Sequence, residues 1–404
     1  MLDSKKKVVI AASTFYPLVG GMEKQALHLS KLLSKKGVLL HVLTSKKHNQ
    51  KNYEKINEIN VFRLGVSFSG KIKNSGSHRT SKNNLTWYEE NKIKKESLQW
   101  RIKHFFYLLV LFFQITLHLL RFRKQIDTII CFSFTSFDAL VILISRLLRI
   151  KTIARAANSD KYLFVNINFR YLVKQILKAD KYIAISSVIK KELLSLGIED
   201  NKIYLIPNSI EIPNLIWNYN NKKIYDASLV GNFSQQPLKG IDVLVRAWKI
   251  VILRFPDAIL NLCGNGNSTP IKELIKELGI ESNVVFSNNQ KNVVDDLLKS
   301  KLFILPSRYE GMSNALLEAM ALGMPCIATN ISGSNDLIIN YKNGILVESE
   351  NYEQMADAIC FLLSNPNIAA EYASNARKTI TDYFTFDKID ILYLKMIYDK
   401  RINY

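Results

Sequence analysis

Cysteine is scarce in this 404-residue chain: Cys131, Cys263, Cys326 and Cys360 stand far apart and mostly inside apolar runs. That spacing offers neither the paired ligands of a zinc site nor a disulfide framework, so a reducing, cytoplasmic compartment is expected. There is no Asp-x-Asp pair, which leaves a carboxylate-held metal without obvious ligands. An unbroken apolar stretch of about 20 residues, as a bilayer span requires, is also missing. The most hydrophobic run, Phe105 to Leu120, is interrupted by Gln114 and His118. A spanning helix is therefore not expected. Two readings stay open: a core helix covering a sheet, or a helix in a bilayer interface with Arg101, Lys103, Arg121, Arg123 and Lys124 on anionic headgroups. The start, MLDSKKKVVIAAS, has only a brief apolar run before Thr14 and Pro17, and reads as a first strand, not a signal peptide.

Acidic residues are short in one half only. Residues 1–215 hold 36 Lys and Arg against 15 Asp and Glu, a balance of +21, and residues 216–404 hold 19 against 20, a balance of −1. A basic half joined to a neutral one points to an anionic partner for the first: a membrane surface, a phosphorylated acceptor or nucleic acid. A solvated lysine-rich surface gives the same count. The basic residues show no aromatic-interleaved platform and no helix-turn-helix signature, so nucleic acid is not expected as a partner.

The length suits two domains. Residues 7–12 predict a buried strand, Met22–Lys36 a helix closed by Gly37, and Leu39–Thr44 a second strand, the βαβ opening of a parallel sheet. Gly20 and Gly21, just before the helix, expose backbone N–H groups where the helix dipole favours an anion, and they serve a plain tight turn equally well. Residues 67–97 are polar, rich in lysine and asparagine, and read as a mobile insertion. Strands follow at Thr128–Phe132, Thr152–Ala156, Lys181–Ile185 and Tyr204–Ile206, then a second series through Ile345–Val347 alternating with helices. The fold class is α/β, two doubly wound Rossmann-like domains across a cleft. The expected division is an N-terminal acceptor-side domain at 1–209, a linker at 210–224, a C-terminal domain at 225–385 and a crossover helix at 386–404 packing back on the first domain.

The stretch from Pro306 to Asn335, PSRYEGMSNALLEAMALGMPCIATNISGSN, organises the chemistry. A strand ending at Leu305 stops at Pro306, and a helix is expected from near Ser313 to Gly323. Glu318 follows the loop acid Glu310 by eight residues, a little over two helical turns, so both acids are expected on one side of the unit.

In this context the E-x7-E spacing of Glu310 and Glu318 resembles the retaining glycosyltransferases of the GT-B fold, family 4 (glycosyl transferases group 1). F-Y-P-L-V-G-G-M-E at 15–23, I-S-S-V-I-K-K-E-L at 185–193, I-P-N-S at 206–209, L-V-G-N-F-S-Q-Q-P-L-K-G-I-D-V-L at 229–244, L-C-G-N-G at 262–266 and N-G-I-L-V at 343–347 match in order. The resemblance implies a nucleotide diphosphate sugar donor, UDP-linked by expectation, carrying a hexose or N-acetylhexosamine. It implies transfer to a lipid-linked or lipopolysaccharide or polysaccharide acceptor, peripheral to the inner face of the cell membrane, with an anionic membrane surface as partner and no metal or other cofactor. By the same resemblance Lys239 meets the phosphates, Glu318 accepts hydrogen bonds from the ribose, and Glu310, the catalytic residue of the site, contacts hydroxyls of the transferred sugar and orients the ring, a positioning role and not that of a nucleophile. Gly311, Met312, Ser313 and Asn314 bring backbone N–H groups to the donor, with Gly20 and Gly21 on its phosphates. Retention in the family is described as a same-face displacement in which the departing phosphate helps deprotonate the acceptor. Two departures stand out. Asn232 occupies a donor-binding position where many members carry arginine, and Arg155 stands near where many carry a loop histidine, as a possible cleft charge. Both motivate a second reading, a catalytically silent sugar-nucleotide-binding subunit of a glycan assembly complex.

Overall fold

Five consecutive apolar residues, Val8–Ala12, form β1, and every one of them is buried. In this computed structural model, which describes residues 6–17, 20–47, 49–65, 98–157, 170–218, 221–287 and 293–398, the strand lies inside the first of two sheets. The insertion expected at 67–97, the tract Asn158-Ser159-Asp160 and the end of the last helical run fall outside the described residues. The chain divides into two units. One takes in residues up to Ile185, Ile189–Ile206 and those from Tyr393 on; the other takes in Ser186–Val188 and Pro207–Leu392.

The first unit runs β1, α1 (Gly21–Lys35), β2 (Leu39–Ser45), β3 (Tyr53–Ile56), β4 (Ile59–Leu64), α2 (Leu98–Phe122), β5 (Thr128–Cys131), α3 (Ser136–Leu147), β6 (Lys151–Ala156), α4 (Arg170–Ile176), β7 (Lys181–Ala184), α5 (Ser187–Ser195) and β8 (Ile203–Leu205). Its sheet has the order β3-β4-β2-β1-β5-β6-β7-β8, parallel except for β3 against β4. That hairpin is an addition to the sequence reading. Its turn, Asn57-Glu58, takes positive φ at both residues without a glycine, so the usual hairpin signal is missing from the sequence.

The helix α2 corrects the sequence reading in length. It spans 25 residues, and with the 3-10 turn Arg123–Gln125 that follows it the stretch Ile102–Gln125 is long and apolar enough to cross a bilayer by composition. One face nonetheless packs on the unit from Leu108 to Leu119: Leu108, Leu111, Ile115 and Leu119 are buried. Gln114 Oε1 accepts from the Gly65 N–H (2.6 Å), Tyr107 O–H donates to Ser45 Oγ (3.3 Å), and the Nε2 atoms of His118 and His41 share a hydrogen bond at 2.8 Å. Burial, with mutual repulsion added, holds His41 down to about 3; burial and the nearby Arg121 hold His118 down to about 4.

The second unit continues with β9 (Tyr225–Asn232), α6 (Gln236–Lys239), α7 (Ile241–Arg254), β10 (Leu260–Asn265), α8 (Thr269–Glu277), β11 (Val284–Ser287), α9 (Val293–Leu298), β12 (Ser300–Leu305), α10 (Asn314–Leu322), β13 (Cys326–Thr329), α11 (Ser334–Leu337), β14 (Ile345–Val347), α12 (Tyr352–Ser364), α13 (Pro366–Tyr383) and α14 (Phe386–Ile397). Its sheet is wholly parallel in the order β11-β10-β9-β12-β13-β14. The strand β13 was not anticipated: its four buried residues follow Pro325 with no alternation to reveal them. Beneath the sheet, Trp248, Leu244, Val251 and Ile359 form a fully buried core. The end of α14 belongs with the first unit, where Lys6 Nζ donates to Ile397 O (2.8 Å) and Lys181 Nζ to Met396 O (3.3 Å).

Candidate active site

In the second unit the strand order reverses direction between β9 and β12, and crevices at the carboxyl ends of such strands are where open α/β sheets bind ligands. Two segments rise there, Phe233–Lys239 after β9, which ends in the short helix α6, and the loop Pro306–Ser313 after β12. They are joined backbone to backbone. The Arg308 N–H donates to Leu238 O at 2.8 Å. Gly240 takes the left-handed conformation (φ 60°) against Pro306, whose carbonyl oxygen lies 2.0 Å from where a Cβ would stand. That approach requires glycine.

The junction sets Lys239 beside Glu310 although 71 residues separate them. Nζ donates to Oε1 at 2.5 Å, and the side chains are 24% and 12% exposed. Ser307 O–H donates to the same Oε1 at 3.0 Å, while Thr329 O–H braces Ser307 O at 2.5 Å. Arg308 turns away from this pair and makes a bidentate contact with Asp242 at the start of α7 (2.8 and 2.8 Å), and it also pairs with Glu350. The hydrogen bonds to Asp242 raise its already high pKa, against the opposing effect of burial. A single guanidinium thereby ties the site loop to two other segments.

Gly311, Met312 and Ser313 are buried in the run that enters α10. Ser313 caps the helix, its Oγ accepting the Leu316 N–H (3.3 Å), and Gly323 closes it with a left-handed φ of 75°. Asn208 Nδ2 donates to Met312 O (3.1 Å) and to Asn314 Oδ1 (3.4 Å), fixing the loop from a segment 104 residues earlier. Glu318 sits half-buried on α10, between the buried Leu317 and Ala319. Asn232 is exposed at the end of β9, where its Oδ1 accepts the Ser234 N–H (2.9 Å) and shapes the turn. Lys239, Glu310 and Gly311 through Asn314 are thus gathered at one crevice. Ser307, Arg308, Asp242, Glu350 and Asn208 complete it, and sequence reading gave none of them a role.

Gly20 and Gly21 lie in the first unit, at the N-terminus of α1. The chain already supplies an anion there: Glu23 Oε2 lies 2.4 Å from where a Gly20 Cβ would stand, and Glu23 Oε1 accepts from Thr14 O–H at 2.5 Å. Arg155, expected as a cleft charge, is 1% exposed on β6, with its guanidinium 4.7 Å from the centre of the Phe132 ring. The first sheet has its own point of reversal between β1 and β5. Ser13 and Ser133 hydroxyls meet there at 3.4 Å, and Ser133 donates to Asp138 Oδ2 at 2.9 Å. Thr135 and Asp138 cap α3 reciprocally. Burial pushes the Asp138 carboxyl up to about 7, against hydrogen bonds from Thr135 and Ser133 that favour its charged form. Among the described residues no group of three His, Cys, Asp or Glu side chains gathers as metal ligands.

Two family descriptions match this chain. Glycosyltransferase Family 4 matches residues 19–212, and Glycosyl transferases group 1 matches residues 219–379. An uncharacterized glycosyltransferase of Haemophilus influenzae is 28% identical over 287 residues, covering 67% of this chain and 77% of that one. A poly(ribitol-phosphate) alpha-N-acetylglucosaminyltransferase of Staphylococcus aureus is 27% identical over 249 residues, 57% of this chain and about half (49%) of that protein's length. Among solved structures, HepE of Anabaena in complex with UDP superposes with a TM-score of 0.72 at 15% identity, over 97% of this chain and 100% of that one, a likeness of fold. With two Rossmann-like units, the motifs in order and both halves matched, the chain belongs to the GT-B glycosyltransferases of the family 4, group 1 type.

Proposed function

We propose that this protein transfers a hexose or N-acetylhexosamine, with retention of configuration and without a metal, from a UDP-sugar to a lipid-linked or polysaccharide acceptor on the cytoplasmic side. The observation that carries the reading is the pairing of Lys239 with Glu310 at the β9–β12 crevice, next to the N-terminus of α10. A diphosphate needs compact positive charge and oriented N–H donors as negative charge builds on the leaving group. Lys239 and the backbone from Gly311 to Asn314 supply both. Drawing Lys239 to phosphate frees Glu310 Oε1 to accept from a sugar hydroxyl, so donor binding and sugar orientation are coupled through one ion pair. Glu318, on the helix that follows, takes the ribose. The UDP bound to HepE and the N-acetylglucosaminyl transfer named for the S. aureus relative support the donor class. Four buried free cysteines support a reducing compartment.

The test is turnover of UDP-, GDP- and ADP-sugars with Lys239→Ala and Glu310→Gln. Lys239→Ala should weaken UDP roughly 10- to 100-fold, the scale of a lost charge-assisted hydrogen bond. Glu310→Gln should lower kcat more than UDP affinity. Undiminished turnover by both variants removes the site assignment. Donor binding with neither transfer nor slow donor hydrolysis favours the silent-subunit reading, to which the exposed Asn232 in the arginine position lends support. Full activity in EDTA is expected, and loss restored by a divalent ion would overturn metal independence.

A further inference from the structure

We infer that α2 seats the first unit flat on an anionic lipid surface, its outward face immersed in the bilayer interface. The face is apolar and continuous. Ile102, Phe105, Phe106, Leu109, Phe113, Leu117 and Leu120 are all exposed, Phe113 at 59% and Leu117 at 68%. They recur at helical spacing on the side opposite the buried Leu108, Leu111, Ile115 and Leu119. A helix apolar on both faces is normally buried on both, and here one side is already taken by the protein. The stripe from 102 to 120 is about 27 Å long at 1.5 Å per residue.

Charge selects the occupant. Lys103 stands exposed near one end of the stripe, and Arg121 and Lys124 at the other. Residues 1–215 carry a balance of +21. Apolar side chains flanked by cations suit acyl chains beneath anionic headgroups. A soluble polyanionic polymer would answer the charge and leave the aromatic stripe in water. A second copy of this chain would bring the same positive charge against itself. Crossing the bilayer would require breaking the bonds from Gln114, Tyr107 and His118 and exposing the packed face. The inference is independent of the transfer reaction and of the residues placed in its site.

Flotation of the full chain with phosphatidylcholine vesicles, with and without about one-third phosphatidylglycerol, tests it. Association is expected with the anionic vesicles and should fall steeply in high salt. Arg121→Gln with Lys124→Gln should weaken it about 25-fold, near fivefold per charge. Phe113→Ser with Leu117→Ser should weaken it at least about tenfold. Both pairs are exposed, so unchanged thermal unfolding certifies their fold. Equal binding to neutral and anionic vesicles, or none to either, overturns the inference. So does resistance to extraction by alkaline carbonate, which marks a spanning helix. Concentration-dependent dimers abolished by Phe113→Ser, or binding to soluble polyphosphate but not to vesicles, would assign the face to a different occupant and equally overturn it.

Discussion

Removing the His41–His118 pair should change how the first unit's stability depends on pH. Both imidazoles are held well below the 6.5 of an unfolded histidine, at about 3 and about 4, chiefly by burial. Below pH 6.5 the unfolded chain takes up two protons that the folded one refuses. The stability is therefore complete above pH 6.5 and is lost as pH falls toward the folded values. At pH 5, each histidine lies 1.5 pH units below its unfolded pKa, a loss of about 2 kcal/mol per residue and about 4 for the pair. Asp138 works in the opposite sense within the same unit. Its carboxyl, raised to about 7, is disfavoured in the folded state as pH rises from about 4, so acidification from pH 7 to pH 5 returns about 2 kcal/mol. The wild-type protein should thus lose only about 2 kcal/mol between pH 7 and pH 5, and the histidine contribution is half hidden.

Comparison with His41→Leu/His118→Leu exposes it, because Asp138 is common to both proteins. The double variant should gain about 2 kcal/mol over the same interval, reversing the slope. Urea midpoints of peptides from β2 and β4, read by pulsed hydrogen–deuterium exchange at one labelling pH, isolate this unit from the other. Parallel pH slopes in the two proteins, within about 1 kcal/mol, would refute the buried neutral pair.

Three further outcomes follow from the site. Gly240→Ala forces a Cβ within 2.0 Å of Pro306 O at a left-handed φ, and should destabilise the second unit by about 3 kcal/mol or more, seen as a lowered unfolding midpoint together with weakened UDP binding. A wild-type midpoint would show that the junction yields. Arg308→Lys keeps the charge but loses the bidentate contact with Asp242, and should cost about 1 kcal/mol after allowance for partial exposure, with Arg308→Gln costing more. Equal stability of Arg308→Lys and the wild type in chemical denaturation would show that charge alone suffices. Asn208→Ala removes the side chain that holds Met312 O, and should raise KM for the donor several-fold at a modest stability cost of about 1 kcal/mol. Steady-state kinetics with an unchanged KM would reduce Asn208 to a packing residue.

The elements legible in the sequence are those with strong periodicity and local end signals. The helix Ile241–Arg254 is of this kind, because Gly240 starts it and apolar residues recur at 3.6 spacing. Ser313 and Gly323 marked both ends of α10. The β3–β4 hairpin was hidden by its glycine-free turn, and α2 extended past its apolar core because Leu98–His104 and Arg121–Phe122 continue the helix with mixed polarity. Of the site, Lys239 and Glu310 were legible as separate motifs. Their contact was not, since it depends on a left-handed glycine meeting a backbone carbonyl 66 residues away. The clamp of Arg308 on Asp242 and Glu350 spans 66 and 42 residues and leaves no local pattern. Arg155 looked available because sequence reports charge and not depth.

The seam between Leu238–Gly240 and Pro306–Arg308 bears on how such a site tolerates mutational drift. Two loops held together by side chains change their separation whenever a packing residue changes size. Here the separation rests on an N–H, a carbonyl and an α-carbon, groups that substitution at most neighbouring positions leaves alone. The span from lysine to glutamate is thereby insulated from variation in the surrounding shell. Under the proposed function, acceptor preference can diversify elsewhere in the chain while the lysine-to-glutamate reach that would meet the donor's phosphates and sugar keeps one dimension.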